Sequence, residues 1–87
     1  DIDSLAAISC LSKDHFIRLF KKEVGTTPLQ YINQKKIEKA QLILITEDIP
    51  VKNIAYLLAY EDHSYFNRLF KKITDVTPQQ YRELYKK

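Results

Sequence analysis

Phe66-Asn67-Arg68-Leu69-Phe70-Lys71-Lys72 repeats Phe16-Ile17-Arg18-Leu19-Phe20-Lys21-Lys22 at an offset of 50, and Thr77-Pro78-Gln79-Gln80-Tyr81 repeats Thr27-Pro28-Leu29-Gln30-Tyr31 at the same offset. Ten of the sixteen positions from 16 to 31 are identical in the second copy. Upstream the offset becomes 49, with Leu5-Ala6 matching Ile54-Ala55 and Leu11 matching Tyr60. Two copies are too few for a solenoid, which needs at least three units, so the pattern is a pseudo-twofold duplication of one small module.

Working outward from the repeat, each copy reads as a short helix, a tight turn, a longer helix, then a stop and a restart. Ser4 can cap a helix over residues 5–9, and Ser12 can cap the next over about 13–24. Within that second helix Phe16, Leu19, Phe20 and Val24 fall on one face at i, i+3, i+4 and i+8. Gly25 supplies the left-handed residue that ends it. Thr27 with Pro28 at the first helical position and Gln30 at the third is a capping box. The second copy repeats this with Phe66, Leu69, Phe70 and Ile73 on a helix over about 62–73, then Thr77, Pro78 and Gln80. Residues 28–45 contain no Gly and no internal Pro, which predicts one long helix between the copies. Asp48-Ile49-Pro50 interrupts the chain, and a short helix over about 51–58 opens copy two. The reading is all-α. The matched aromatic faces predict that Phe20 and Phe70 are buried alike.

Composition agrees. The 87 residues hold one Gly and three Pro, few of the residues that turns of β-structure require. Apolar residues make up 45% and charged residues 29%, the balance of a globular domain rather than a disordered chain. The longest apolar run, Ile54 to Tyr60, is far below the ~20 residues that span a bilayer, and the N-terminal Asp1-Ile2-Asp3 is no signal peptide. The single cysteine, Cys10, excludes an internal disulfide and any multi-cysteine metal site, and fits a reducing cytoplasm. Cys10, in the turn beside Leu11, reads as a small buried residue rather than a nucleophile.

A net charge of +3 is modest, but half of the basic residues cluster. Within 13–22, Lys13, Arg18, Lys21 and Lys22 stand against Asp14 alone, and Arg68, Lys71 and Lys72 have no acidic neighbour within 66–72. Opposite the apolar stripe each longer helix therefore carries an Arg, a Lys and small side chains, the types that read base edges and hold phosphates. Arg18 and Arg68 can pair with guanine O6 and N7, Asn67 with adenine, and Ile17 with a thymine methyl. Asp14 either accepts from cytosine N4 or only favours the helix N-terminus. Ser12, Lys13, Lys21, Lys22, Lys71 and Lys72 suit backbone contacts, which strengthen binding without choosing sequence. A basic helix of this kind behind a short helix and a tight turn is a helix-turn-helix reader of double-stranded DNA. The competing reading is a helical protein-interaction module whose basic faces are merely solvated.

At these residues the chain resembles the C-terminal DNA-binding domain of the AraC/XylS family of bacterial transcription regulators. The resemblance rests on Leu5-Ala6-Ala7, Leu11-Ser12-Lys13, His15-Phe16, Arg18-Leu19-Phe20-Lys21 and Gly25-Thr26-Thr27-Pro28, then on Ile54-Ala55, Ser64-Tyr65-Phe66, Arg68-Leu69-Phe70-Lys71-Lys72 and Val76-Thr77-Pro78-Gln79-Gln80-Tyr81. It implies two helix-turn-helix modules of homeodomain-like tandem type, about 4–27 and 50–87, joined by a central helix over about 28–45. It also implies DNA contacts near the start of the second reading helix, at His63 and Ser64. Cys10, Ala59 and Asp75 stand where the family usually has Gly, and Asp tolerates the left-handed conformation better than most residues. The expected whole is a single DNA-binding domain over 1–87 whose sensor domain is absent from this chain. The expected partners are promoter or operator DNA and, through the parent regulator, RNA polymerase, with no membrane contact by this domain. His15 and His63 lie in different modules and make no metal site. No phosphate loop, catalytic triad or paired carboxylates stand out, so neither an enzyme nor a cofactor is expected.

Overall fold

The computed structural model describes residues 12–86. Among these the chain forms five helices: α1 (Lys13–Val24), α2 (Pro28–Thr46), α3 (Val51–Leu57), α4 (His63–Thr74) and α5 (Pro78–Tyr85). Two compact units divide between Gln34 and Lys35, inside α2. The expected cap at Ser4, the helix over 5–9 and the turn at Cys10 lie outside the described residues.

In the first unit α1 starts where Ser12, in extended conformation, accepts a bond from the His15 N–H at 3.2 Å. Lys21 and Lys22 occupy its last turn, where positive charge meets the negative end of the helix dipole. Gly25 ends α1 at φ 95°, its N–H donating to the Lys21 carbonyl. A Cβ at Gly25 would meet nothing within 4 Å, so the requirement there is backbone conformation rather than space. Thr27 and Gln30 then form the reciprocal capping box that opens α2, with bonds of 3.2 and 3.1 Å.

The second unit holds a fully formed core. Ile37, Ala40 and Leu44 of α2 meet Ile54 and Ala55 of α3, Leu58 and Tyr60 of the following turn, and Phe66 and Phe70 of α4. The rings pack in series: Tyr60 on Phe66 at 5.4 Å, Phe66 on Phe70 at 5.9 Å, and Phe70 edge-on to Tyr81 at 5.6 Å. The turn between α3 and α4 closes with the Tyr60 N–H donating to the Ala55 carbonyl around Ala59 at φ 68°. This is the helix stop usually made with glycine, here imposed on an alanine. Asp62 accepts from the Ser64 N–H at 2.8 Å and caps α4, and Asp75 at φ 72° ends it. Thr77 and Gln80 repeat the capping box at α5.

Arg82 closes the unit from a distance. Its Nε donates to the Leu44 carbonyl at 3.1 Å and one terminal nitrogen donates to the carbonyls of Glu47 and Ile49 at 3.1 and 2.7 Å. One guanidinium thus satisfies acceptors at the C-terminal end of α2 and in the link to α3, where α2 has no basic residue in its last turn. Lys86 adds a bond to the Glu47 carbonyl and an ion pair with Asp48, and its ammonium holds the Asp48 carboxyl below the usual carboxylate range.

The two copies differ in burial. Phe66 and Phe70 are 0% exposed, whereas Phe16 and Phe20 are half-buried and no residue of α1 is fully buried. The expectation of equal burial is therefore corrected: Phe20 rests on Phe16 and edge-on to Tyr31, with Leu19 and Val24 exposed beside it. Phe70→Ala is expected to cost about 3–5 kcal/mol, since it removes a buried ring and leaves a cavity. Phe20→Ala, which loses a part-exposed ring, is expected to cost less than half of that. Urea denaturation followed by circular dichroism checks the pair, and equal losses would contradict the difference in packing.

Candidate nucleic-acid interface

The interface is built on α4 by exclusion. With Phe66 and Phe70 inside and Leu69 and Ile73 half-buried around them, the remaining positions turn outward. Ser64, Tyr65, Arg68, Lys71 and Lys72 are exposed, with Arg68 in the middle of the stripe. Asn67 and His63 are half-buried, on the margin between the outward face and the core. No acidic side chain lies on α4; Asp62 stands just before it and its carboxylate is occupied as the cap. The exposed face is a cationic ridge with a hydroxyl at its N-terminal end.

The outward face of α1 follows the same register. Lys13, Asp14, Arg18, Lys21 and Lys22 are exposed, and Ile17, at the position of Asn67, is half-buried. Ser12 is exposed, and its side-chain oxygen accepts the His15 N–H. Asp14 lies in the first turn, where a carboxylate suits the positive end of the helix dipole. The ridge on α1 thus carries a negative charge where α4 has the neutral Ser64.

Tyr65 has no signal of its own in the sequence as a contact residue. It is 44% exposed beside Arg68 and Lys72, and its ring lies 6.0 Å from Tyr60. Tyr60 itself is buried, with the Lys36 ammonium 4.9 Å from its ring centre. Burial, with a smaller contribution from Tyr65, pushes its phenol up to about 12, so this support stays neutral across the physiological range. Tyr65 matches His15 in the first copy, and only its place on the ridge marks it as a candidate contact. Among the described residues there is no group of three or more His, Cys, Asp or Glu arranged to hold a metal.

Among the described residues α3 and α4 form a helix–turn–helix with a basic ridge on the outward face of its second helix, and α1 carries the matching ridge, features of a DNA-reading domain of the helix-turn-helix class. A family model described as a helix-turn-helix domain matches residues 5–84. The chain belongs to the AraC/XylS family of transcription regulators, as a sequence-specific DNA-binding domain and not an enzyme. It is 37% identical over 83 residues to the MmsAB operon regulatory protein of Pseudomonas aeruginosa, covering 95% of this chain and 27% of that protein. It is 33% identical over 82 residues to the arabinose operon regulatory protein of Escherichia coli K12, covering 94% and 28% respectively. The chain therefore spans little more than a quarter of the length of these relatives.

Solved structures agree. The C-terminal domain of the two-component response regulator yesN from Fusobacterium nucleatum superposes with a TM-score of 0.90 at 36% identity, over 94% of this chain and 80% of that one. The DNA-binding domain of AdpA, a global transcriptional factor solved with a target DNA, gives a TM-score of 0.90 at 27% identity, over 97% and 76%. No helix among the described residues is long and apolar enough to cross a membrane.

Two substitutions separate the roles on α4. Arg68→Ala is expected to relax sequence preference and to cost roughly 1–3 kcal/mol on the preferred site. Lys72→Ala is expected to weaken all duplexes about equally and to reduce the salt slope by roughly one. Fluorescence anisotropy on specific and scrambled duplexes checks both. Identical behaviour of the two variants would show that the ridge has been misassigned.

Proposed function

We propose that α1 and α4 each enter the major groove and that one chain reads two successive groove segments on one side of the duplex. Base contacts fall to Asp14, Ile17 and Arg18 of α1 and to His63, Ser64, Asn67 and Arg68 of α4. Ser12, Lys13, Lys21, Lys22, Lys71 and Lys72 hold the backbone. The observation that carries this reading is the division of α4: two phenylalanines wholly buried on one side, and Arg68, Lys71 and Lys72 exposed on the other. Support for a pair of readers comes from the repeat, which places Arg18, Lys21 and Lys22 of α1 at the positions of Arg68, Lys71 and Lys72 of α4, all six of them exposed. An asymmetric site read by one chain follows, in contrast to a palindrome read by two.

For the whole regulator we infer a further sensor portion, a promoter or operator as target, and contact with RNA polymerase, all in the cytoplasm. The relatives that support this are named as regulators of operons, and they are three to four times as long as this chain.

Salt and footprint test the proposal together. Phosphate contacts by about five lysines predict a slope of log affinity against log salt near −4 to −5. Hydroxyl-radical footprinting of the monomer is expected to show protection in two groove segments on one face of the DNA. Salt-insensitive association would favour an apolar protein-binding module. Protection confined to about half a turn would leave one ridge without a role.

A further inference from the structure

Asn67 is the one described residue with a buried side-chain oxygen or nitrogen that has no hydrogen-bond partner, and that atom is Oδ1. The residue as a whole is only half-buried, and it stands next to Arg68 on α4. Of the two ends of its amide, Oδ1 is closed off by the protein and Nδ2 is not, so Nδ2 is the end left accessible on this half-buried residue. A half-turn about the Cβ–Cγ bond exchanges the two atoms but not the enclosure, so in either rotamer one end of the amide is shut in. The orientation with nitrogen inside would bury two donors in place of one acceptor. Orphaned N–H groups are rarer than under-satisfied carbonyls, which favours the oxygen-in form.

This limits what Asn67 can read. Asparagine recognises adenine through both ends at once, donating to N7 and accepting from the N6 amine. One outward end makes one contact. We propose that Asn67 is a specificity-determining residue acting as a single donor, which discriminates by exclusion: it admits adenine, guanine or thymine on the strand it faces and rejects cytosine. Adenine N7, guanine N7 and O6, and thymine O4 all accept in the major groove, whereas cytosine presents only its N4 amine. Two amines facing each other leave both unpaired in a drying interface. The proposal rests on α4 being a DNA reader and refines what that reader distinguishes. It replaces the adenine-pairing role that the residue type alone suggests.

The orphan oxygen also carries a cost in the free protein, because a buried acceptor without a partner loses its water and gains nothing. A side chain of the same shape with no polar ends would remove that cost and the discrimination together.

Selection from randomised duplexes with this chain and its Asn67→Asp, Asn67→Leu and Arg68→Ala variants tests the proposal, with thermal unfolding of each in parallel. The unmodified chain is expected to give, beside the column set by Arg68, a column in which cytosine is depleted roughly two- to tenfold. Asn67→Asp, which turns an acceptor outward, should shift that column toward cytosine. Asn67→Leu should flatten it and raise the melting temperature. A strict adenine column for the unmodified chain overturns the proposal, because it requires both ends of the amide. So do Asn67 variants that leave every column unchanged while Arg68→Ala alters its own. If Arg68→Ala also changes nothing, the assignment of α4 as a reader fails and this proposal fails with it.

Discussion

The burial of Phe66 and Phe70 on one side of α4 is the constraint on which the interface depends. Side chains at i and i+4 share a helix face, so two adjacent rings fix the rotation of the helix about its own axis. With both rings inside, Arg68 has only the solvent side available. Turning the helix by one residue would bring Asn67 and Lys71 to the places of Phe66 and Phe70 and drive an ammonium into a pocket of Leu, Ile and Phe side chains, at a cost of several kcal/mol for the unpaired charge. The position of the cationic ridge is therefore set by apolar packing and not by attraction to a ligand. On the proposed reading of this ridge as the DNA-binding face, the face is preorganised, and little ordering remains to be done when DNA arrives.

Where α4 begins and ends is set by a different class of interaction. Asp62 and Asp75 bracket it with a side-chain cap and a left-handed stop, and Thr77 with Gln80 restarts the chain into α5. Behind it, Arg82 ties α5 to the carbonyls that close α2 and lead into α3. Hydrogen bonds from a charged donor each contribute on the order of 1.5–3 kcal/mol, a large share of what a domain this small possesses. Ala59 runs the other way. Held at φ 68° in the turn between α3 and α4, it carries a left-handed strain of roughly 1–2 kcal/mol that glycine would avoid. That strain persists because the bond from the Tyr60 N–H to the Ala55 carbonyl and the ring of Tyr60 on Phe66 hold the turn closed.

What could be read from the sequence was local. Capping at Ser12, Thr27 and Thr77, the stop at Gly25 and the two-sided character of α4 each depend on residues within a few positions of one another, and the helix bounds follow from them. Three features were not legible for that reason. Arg82 reaches carbonyls 33 to 38 residues away, and a carbonyl acceptor has no signature in sequence because every residue has one. The half-exposure of Phe20 depends on what surrounds it, although its sequence context is nearly that of Phe70. Asn67 was legible as a polar residue beside Arg68, but the enclosure of its Oδ1 arises from the third dimension alone. Residue type names the chemistry a ridge can offer; packing decides which atoms of each side chain are available to offer it.

The central claim is that the face of α4 opposite the buried phenylalanines is the surface that meets DNA. Titrating a duplex carrying the selected site into the isotopically labelled chain, at low salt and followed by NMR, tests this most directly. The account predicts that resonances of Ser64, Tyr65, Arg68, Lys71 and Lys72 shift together and return when salt is raised, while the ring resonances of Phe66 and Phe70 hold their positions. Shifts centred instead on the exposed apolar groove of Ile49, Asn53, Tyr56 and Leu57, unmoved by salt, would contradict it.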